Sequence, residues 1–207
     1  MPTGGLVGLF DRDVFLKLAC LGLWHEAVAA TGVTAPYRLP SCSVSGSAPV
    51  LRRWLKDPAV LQAATDRLAG MVAAVPVVDD GLAAATRAAP SFVELANTED
   101  IDAGEAVLVT ILEAAESPAV LLTGDKRFVS ALRTCHPARF TALAGRILSF
   151  ERCLALVCEA HGTSLVVERA ITVAACDGSL RLALGVPPGT DHASFLEALA
   201  SFDPCRD

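Results

Sequence analysis

Three acids stand where a strand gives way to a helix or where a helix begins. Asp11 follows the apolar run Gly5-Leu-Val-Gly-Leu-Phe10, Glu105 lies in Asp102-Ala-Gly-Glu105, and Asp125 follows Ala119-Val-Leu-Leu-Thr123 and Gly124. Brought together with no His or Cys among them, such carboxylates form an oxygen-only site, which suits Mg²⁺ or Mn²⁺ better than zinc. The chemistry implied is phosphoryl transfer. A divalent ion held there would offset the repulsion among the acids, bind a phosphate oxygen and lower the pKa of a water for attack at neutral pH. Asp13 and Asp102 are auxiliary candidates. Each acid also has a purely structural use, because Asp102 with Glu105 has the form of a capping box and Asp125 is placed to cap a helix.

The elements that must position these acids follow from apolar spacing. Residues 5–10 read as a strand, and Val14, Leu18, Leu21 and Val28 recur at helical spacing towards Thr31-Gly32. Residues 33–49, rich in Pro, Ser and Gly, read as a connection, and Leu51 to about Val75 carries a helical pattern with Pro58 at a helix start or break. Asp79-Asp80-Gly81 is a further boundary. A helix is expected from Asp102, with Val107, Leu108, Ile111 and Leu112 on one face and Ser117-Pro118 closing it. Residues 119–123 read as a strand that leads into a helix through Phe128, Val129 and Leu132. A strand at 146–150, a helix at 151–160, and a last helix from Asp191 to Phe202 complete the pattern. Ile171 to Cys176 and Ser179 to Leu184 flank Asp177-Gly178, a hairpin signal, although the first arm also reads as the end of a helix from Leu165. Strands alternating with helices predict a parallel α/β sheet, in which ligands bind beyond the carboxyl ends of the strands. If strands 5–10 and 119–123 are neighbours, Asp11 and Asp125 share one crevice, and Glu105 completes it.

Composition narrows the classes. The chain has 207 residues, 53% of them apolar and 19% charged, enough to bury a full core and far from a disordered composition. No apolar run reaches the ~18–20 residues of a membrane span, and Met1 to Phe10 has no basic leader region, so a cytoplasmic protein with no membrane partner is expected. The cysteines at 20, 42, 135, 153, 158, 176 and 205 include no Cys-x-x-Cys pair and read as reduced, mostly buried residues. The four histidines are scattered singly. A net charge of −6 argues against nucleic-acid binding through overall charge, but its distribution is uneven. Ten acids face one base between Asp79 and Asp125, and six bases face one acid between Lys126 and Arg152. Lys126, Arg127 and Arg133 are therefore candidate phosphate contacts, with a solvated helical face as their bland alternative. Trp24, Trp54 and Tyr37 could stack on bases, although isolated aromatics in an apolar chain are usually core.

The stretches Leu9-Phe-Asp-Arg-Asp-Val-Phe15, Ile101-Asp-Ala-Gly-Glu-Ala106 and Leu121-Leu-Thr-Gly-Asp-Lys-Arg-Phe128 together resemble the motifs of the PIN-domain ribonucleases and related PIN-like proteins. Those motifs are an Asp-x-Asn/Asp after the first strand, an acid beginning a central helix, and a Thr-x-Asp after a later strand. The resemblance covers about residues 5–150. It implies a three-layer α/β/α domain over residues 1–150, with residues 151–207 as a C-terminal extension packed on it. It also implies metal-dependent cleavage of RNA, with Asp11, Glu105 and Asp125 as Mg²⁺ or Mn²⁺ ligands and Thr123 in support. A restraining protein partner, such as the antitoxin of a toxin–antitoxin pair, is a further implication.

One acid of that family, a Glu at the start of the helix after the second strand, has no counterpart in Leu39-Pro-Ser-Cys-Ser-Val-Ser-Gly-Ser47. That departure supports a second reading, a PIN-like scaffold that binds RNA or a protein without cutting. The apolar content and the extension also allow a homodimer. A third reading comes from Asp11-Arg-Asp13, which is similar to the Asp-x-Asp of haloacid dehalogenase-like phosphatases, with Asp11 as nucleophile. Phe15 stands where that family has Thr or Val, and Val129 where a later acid is required. Nucleotide-binding glycine loops and a Gly-x-Ser-x-Gly elbow are absent, and no organic cofactor is suggested.

Overall fold

Both faces of the central sheet are buried, and the strand sequences show it as alternation within apolar runs. In the computed structural model, which describes residues 5–185 and 191–206, β1 (Leu6–Phe10) sends Val7 and Leu9 to one face and Phe10 to the other. Residues 1–4, on which the reading of the N-terminus partly rests, lie outside the described residues, as do 186–190 and 207.

Asp11 caps α1 (Arg12–Leu21), which ends at Gly22 in the left-handed region with φ +65°, a conformation glycine adopts without penalty. The helical pattern expected to continue to Val28 is therefore broken in two, and α2 (Trp24–Ala30) follows. The expected connection at 33–49 is corrected by the structure. It contains β2 (Val33–Arg38) and the start of α3 (Val44–Trp54), capped by Ser43. Pro36 disguises the strand, yet β2 is the edge strand of the sheet, paired with β1 and bridged on its other side only at Arg38, to Val77, so a proline at 36 is tolerated. Asp57 caps α4 (Pro58–Ala74), so Pro58 is a helix start, and Asp79 caps α5 (Asp80–Arg87), followed by α6 (Pro90–Ala96).

The capping box is present. Asp102 and Glu105 open α7 (Ala103–Ala114), which leads to β3 (Ala119–Thr123) and, capped by Asp125, to α8 (Lys126–Cys135) and α9 (Pro137–Ala142). After β4 (Ile147–Ser149), Ser149 caps α10 (Phe150–His161), and α11 (Thr163–Ile171) follows. The expected hairpin at 171–184 is also corrected. A 3-10 turn (Ala174–Cys176) precedes α12 (Gly178–Ala183), because the Asp177 side chain accepts from the Leu180 N–H at 2.7 Å and acts as a helix cap, not a turn residue. Asp191 caps α13 (His192–Phe202).

The four strands among the described residues are all parallel, in the order β2-β1-β3-β4. β1 and β3 are direct neighbours, with Leu9 opposite Leu121 and Phe10 opposite Leu122. The chain winds to one side of β1 for β2 and to the other for β3 and β4, so the strand order reverses between β1 and β3. Helices cover both faces in three layers. Val7, Leu9, Leu121 and Ile147 pack with Leu95, Leu108, Leu112 and Phe128 on one side. Phe10, Val120 and Leu122 pack on the other with Phe15, Leu68, Leu154, Val166, Phe195 and Leu199. The second core draws on residues before and after 150, so the extension supplies part of the wall behind the sheet. Among the described residues no helix is long and apolar enough to cross a membrane.

Candidate functional site

At the carboxyl ends of β1 and β3, where open parallel sheets bind ligands, a cleft of about 570 Å³ opens. Asp11, Asp13, Asp102, Glu105 and Asp125 all line it, together with Arg12, Arg53, Arg87, Arg127 and Trp54. Every acid singled out in the sequence thus faces one space. A smaller bay lined by Asp100, Asp102, Glu105, Asp125 and Arg127 adjoins it. Asp100, the one described non-glycine residue with positive φ, at 64°, turns the chain there into α7.

Capping and cleft-facing roles coexist in these acids, because a carboxylate has two oxygens. Asp102 Oδ1 accepts from the Glu105 N–H, and Glu105 Oε2 accepts from the Asp102 N–H, both at 2.8 Å. One oxygen of each is fixed, and the other makes no hydrogen bond among the described residues. Asp11 accepts from the Arg12 N–H at 2.6 Å, and Asp125 Oδ1 accepts from the N–H groups of Arg127 at 2.8 Å and Phe128 at 3.3 Å. Thr123, fully buried at the end of β3, accepts from the Asp125 N–H at 3.2 Å and sets the loop that carries Asp125.

The acids feel one another. Burial, then the neighbouring charge of Asp13 and more weakly Asp102, pushes the Asp11 carboxyl up to about 7. Burial, then the charges of Asp102, Asp11 and Asp125, pushes Glu105 up to about 8 despite the Asp102 N–H. The donor set is all oxygen and carries surplus negative charge, which fits a hard divalent cation in kind. The side chains line the cleft without converging on one point: among the described residues, no three His, Cys, Asp or Glu side chains form a group able to hold a metal ion as they stand.

Asp13 has a partner that spacing alone did not reveal. Lys17, one helical turn on and 5% exposed, pairs with Asp13 at 2.5 Å and with Asp177 at 2.7 Å, and reaches the Gly124 carbonyl at 3.5 Å. Burial acts to lower the pKa of this ammonium, but the two carboxylates outweigh it and raise it; the same pairing holds Asp177 below its usual value against its own burial. Gly124 closes the group. A Cβ there would collide with the Asp13 carboxylate and crowd the Lys17 Nζ at 2.9 Å, which explains the glycine between Thr123 and Asp125.

The candidate phosphate contacts separate. Arg127 lines the cleft, 3.6 Å from Asp125 Oδ2 and 4.0 Å from Asp100. Lys126 turns away, to Glu151 at 2.7 Å, Ser179 Oγ at 2.6 Å and the Phe202 carbonyl at 2.8 Å. Arg133 donates to the Pro204 and Arg206 carbonyls at 2.5 and 3.3 Å. Both bind the C-terminal extension. Sequence reasoning missed Arg12, Arg53 and Arg87 at the cleft, and only the position of Arg12 next to Asp11 signalled any of them.

The fold and site together define a class: an all-parallel α/β protein with an acid-floored, arginine-rimmed cleft at its strand reversal. Comparison with protein-family models, with curated proteins and with solved structures found no match to the chain.

Proposed function

We propose that the protein is a PIN-like, Mg²⁺- or Mn²⁺-dependent ribonuclease that hydrolyses phosphodiester bonds with water as the nucleophile. The observation that carries this reading is the shared cleft of Asp11, Glu105 and Asp125 at the junction of β1 and β3. The ion, when bound, supplies charge neutralisation at the phosphate and activation of water. Asp11, Glu105 and Asp125 would hold it, with Asp102 as a fourth oxygen donor and Thr123 fixing the Asp125 loop. Asp13 is better read as the anchor of Lys17 than as a ligand, since its carboxylate is ion-paired. Arg127 and the other cleft arginines would hold the RNA backbone.

The phosphatase reading is less well supported, because it needs Asp13 as a free acid or base. The non-cutting scaffold shares the fold and differs only in turnover. The test is cleavage of a mixed single-stranded RNA by purified protein in Mn²⁺, beside Asp125→Asn and beside wild type with chelator. Cleavage by wild type alone, with the variant losing more than the ~10–100-fold expected for an outer-shell partner, supports the nuclease. Well-folded wild type that cuts no RNA transfers the reading to the scaffold, and a phosphoenzyme at Asp11 would transfer it to the phosphatase.

A further inference from the structure

One stretch of the cleft lining is neither acidic nor plainly structural. It is formed by the end of α3, where Arg53 is exposed and Trp54 half-buried, with Val50, Leu39 and Pro40 beside them. The second tryptophan, Trp24, shows what a core aromatic looks like here: 8% exposed, with ring centroids 4.6 Å from Phe10 and 5.2 Å from Phe15. Trp54 packs against the same core yet also lines the open cleft.

The charges around it are unspent. Arg38, Arg67 and Arg146 donate to buried backbone carbonyls and Arg139 pairs with Glu94 and Glu113, whereas the side chains of Arg12, Arg53 and Arg87 make no hydrogen bond or ion pair among the described residues. They come from α1, α3 and α5, three separate elements meeting at one rim. A ligand that was only phosphate would leave the indole and its apolar neighbours without a role, and a purely apolar ligand would leave three guanidiniums unmatched. A unit with a flat apolar face joined to an anion matches both, and that unit is a nucleotide. The cleft volume lies in the range that encloses a drug-sized molecule, which is room for one nucleotide, and stacking on Trp54 requires that its base be unpaired.

Resting on the ribonuclease reading, we infer that the α3 wall is a nucleobase subsite for single-stranded RNA, with one unpaired base stacked on Trp54 and its flanking phosphates held by Arg53 and Arg87. Recognition there is through stacking and so tolerates any base, and it requires an unpaired strand.

The experiment is a titration of the protein, carried on Asp125→Asn to prevent cleavage, with an eight-uridine RNA oligonucleotide and with an abasic ribose-phosphate oligonucleotide of the same length, read by tryptophan emission and by anisotropy of a labelled strand. The uridine strand is expected to quench emission, and Trp54→Phe removes the quenching while keeping a stacking ring. Trp54→Leu, which keeps apolar bulk against the core, weakens the uridine strand roughly 5- to 150-fold and leaves the abasic strand unchanged. Arg53→Ala lowers the slope of log affinity against log salt by about 0.7. Circular dichroism melting confirms that each variant is folded. The inference is overturned if the abasic strand binds and quenches as well as the uridine strand, if Trp54→Leu weakens both alike, or if neither strand binds. Uridine binding that depends on Trp54 in a protein that never cuts RNA keeps the subsite and removes the nuclease; cutting that ignores Trp54 does the reverse.

Discussion

At the scale of single residues, the acids of the cleft crowd one another and are partly desolvated. Asp11 and Glu105 are held with carboxyls raised to about 7 and about 8, mainly by burial and then by neighbouring acids. An unfolded carboxyl ionises near 4, so between about pH 4 and 8 the folded, metal-free protein holds more protons than the unfolded chain, and stability must fall as pH rises through that window. The Lys17–Asp177 pair adds a slope of opposite sign only at the acid edge of that window, where an unfolded aspartate still holds part of a proton, because Asp177 is lowered and Lys17 raised. Asp11→Asn is therefore expected to raise the melting temperature with chelator at pH 8 by about 2–4 °C, corresponding to roughly 1 kcal/mol, and to flatten its decline from pH 5 to pH 8. Thermal melts across that range check this, and a variant that melts lower than wild type at pH 8 would contradict it. Asp11, Glu105 and Asp125 were legible in the sequence because strand exits and helix starts expose them at fixed places in an α/β chain. Lys17 was not, because a lysine in an apolar run reads as an interruption until its two partners, 4 and 160 residues away, are seen beside it.

At the scale of elements, two lysines, Lys17 buried and Lys126 half-buried, fasten the C-terminal helices to the site. Lys17 joins α1 to Asp177 at the head of α12, and Lys126 joins α8 to Glu151 in α10, to Ser179 and to the end of α13. Removing one partner of a buried pair strands the other charge, so Lys17→Met is expected to cost about 3–5 kcal/mol, while Lys17→Met with Asp177→Asn, which removes the buried charge and keeps an acceptor for the Leu180 N–H, recovers part of that loss and leaves the part due to Asp13. Urea denaturation of the single and double variants measures it, and a single variant within 1 kcal/mol of wild type would show that the pair is not essential. The strands β1, β3 and β4 could be read from their apolar runs. β2 could not, because Pro36 is tolerated only at a sheet edge, and edge position is a property of the assembled sheet. The hairpin expected around Asp177-Gly178 failed for a related reason: the same dipeptide caps a helix when no strand is available to pair with, and here the sheet ends at β4.

At the scale of the whole molecule, the described residues after 150, 151–185 and 191–206, help to build the core behind the sheet. Leu154, Val157, Val166, Leu180, Phe195 and Leu199 are buried in the same core as Phe10 and Phe15 of β1 and α1. A chain ending at residue 150 is expected to lose cooperative melting and to bind a hydrophobic dye; a sharp thermal transition in that fragment would contradict the shared core. The resemblance that pointed to the site stopped near residue 150, so nothing in the motifs foretold that Asp177, the second carboxylate on the lysine beside Asp13, comes from beyond it. Under the proposed function, the cleft between β1 and β3 holds a divalent cation through its acids. The most direct measurement is a calorimetric titration of Mn²⁺ into wild type, Asp11→Asn, Glu105→Gln and Asp125→Asn at pH 8. Saturable binding to wild type that each single substitution weakens by tenfold or more is the predicted result; no saturable binding, or binding that all three variants retain undiminished, would contradict it.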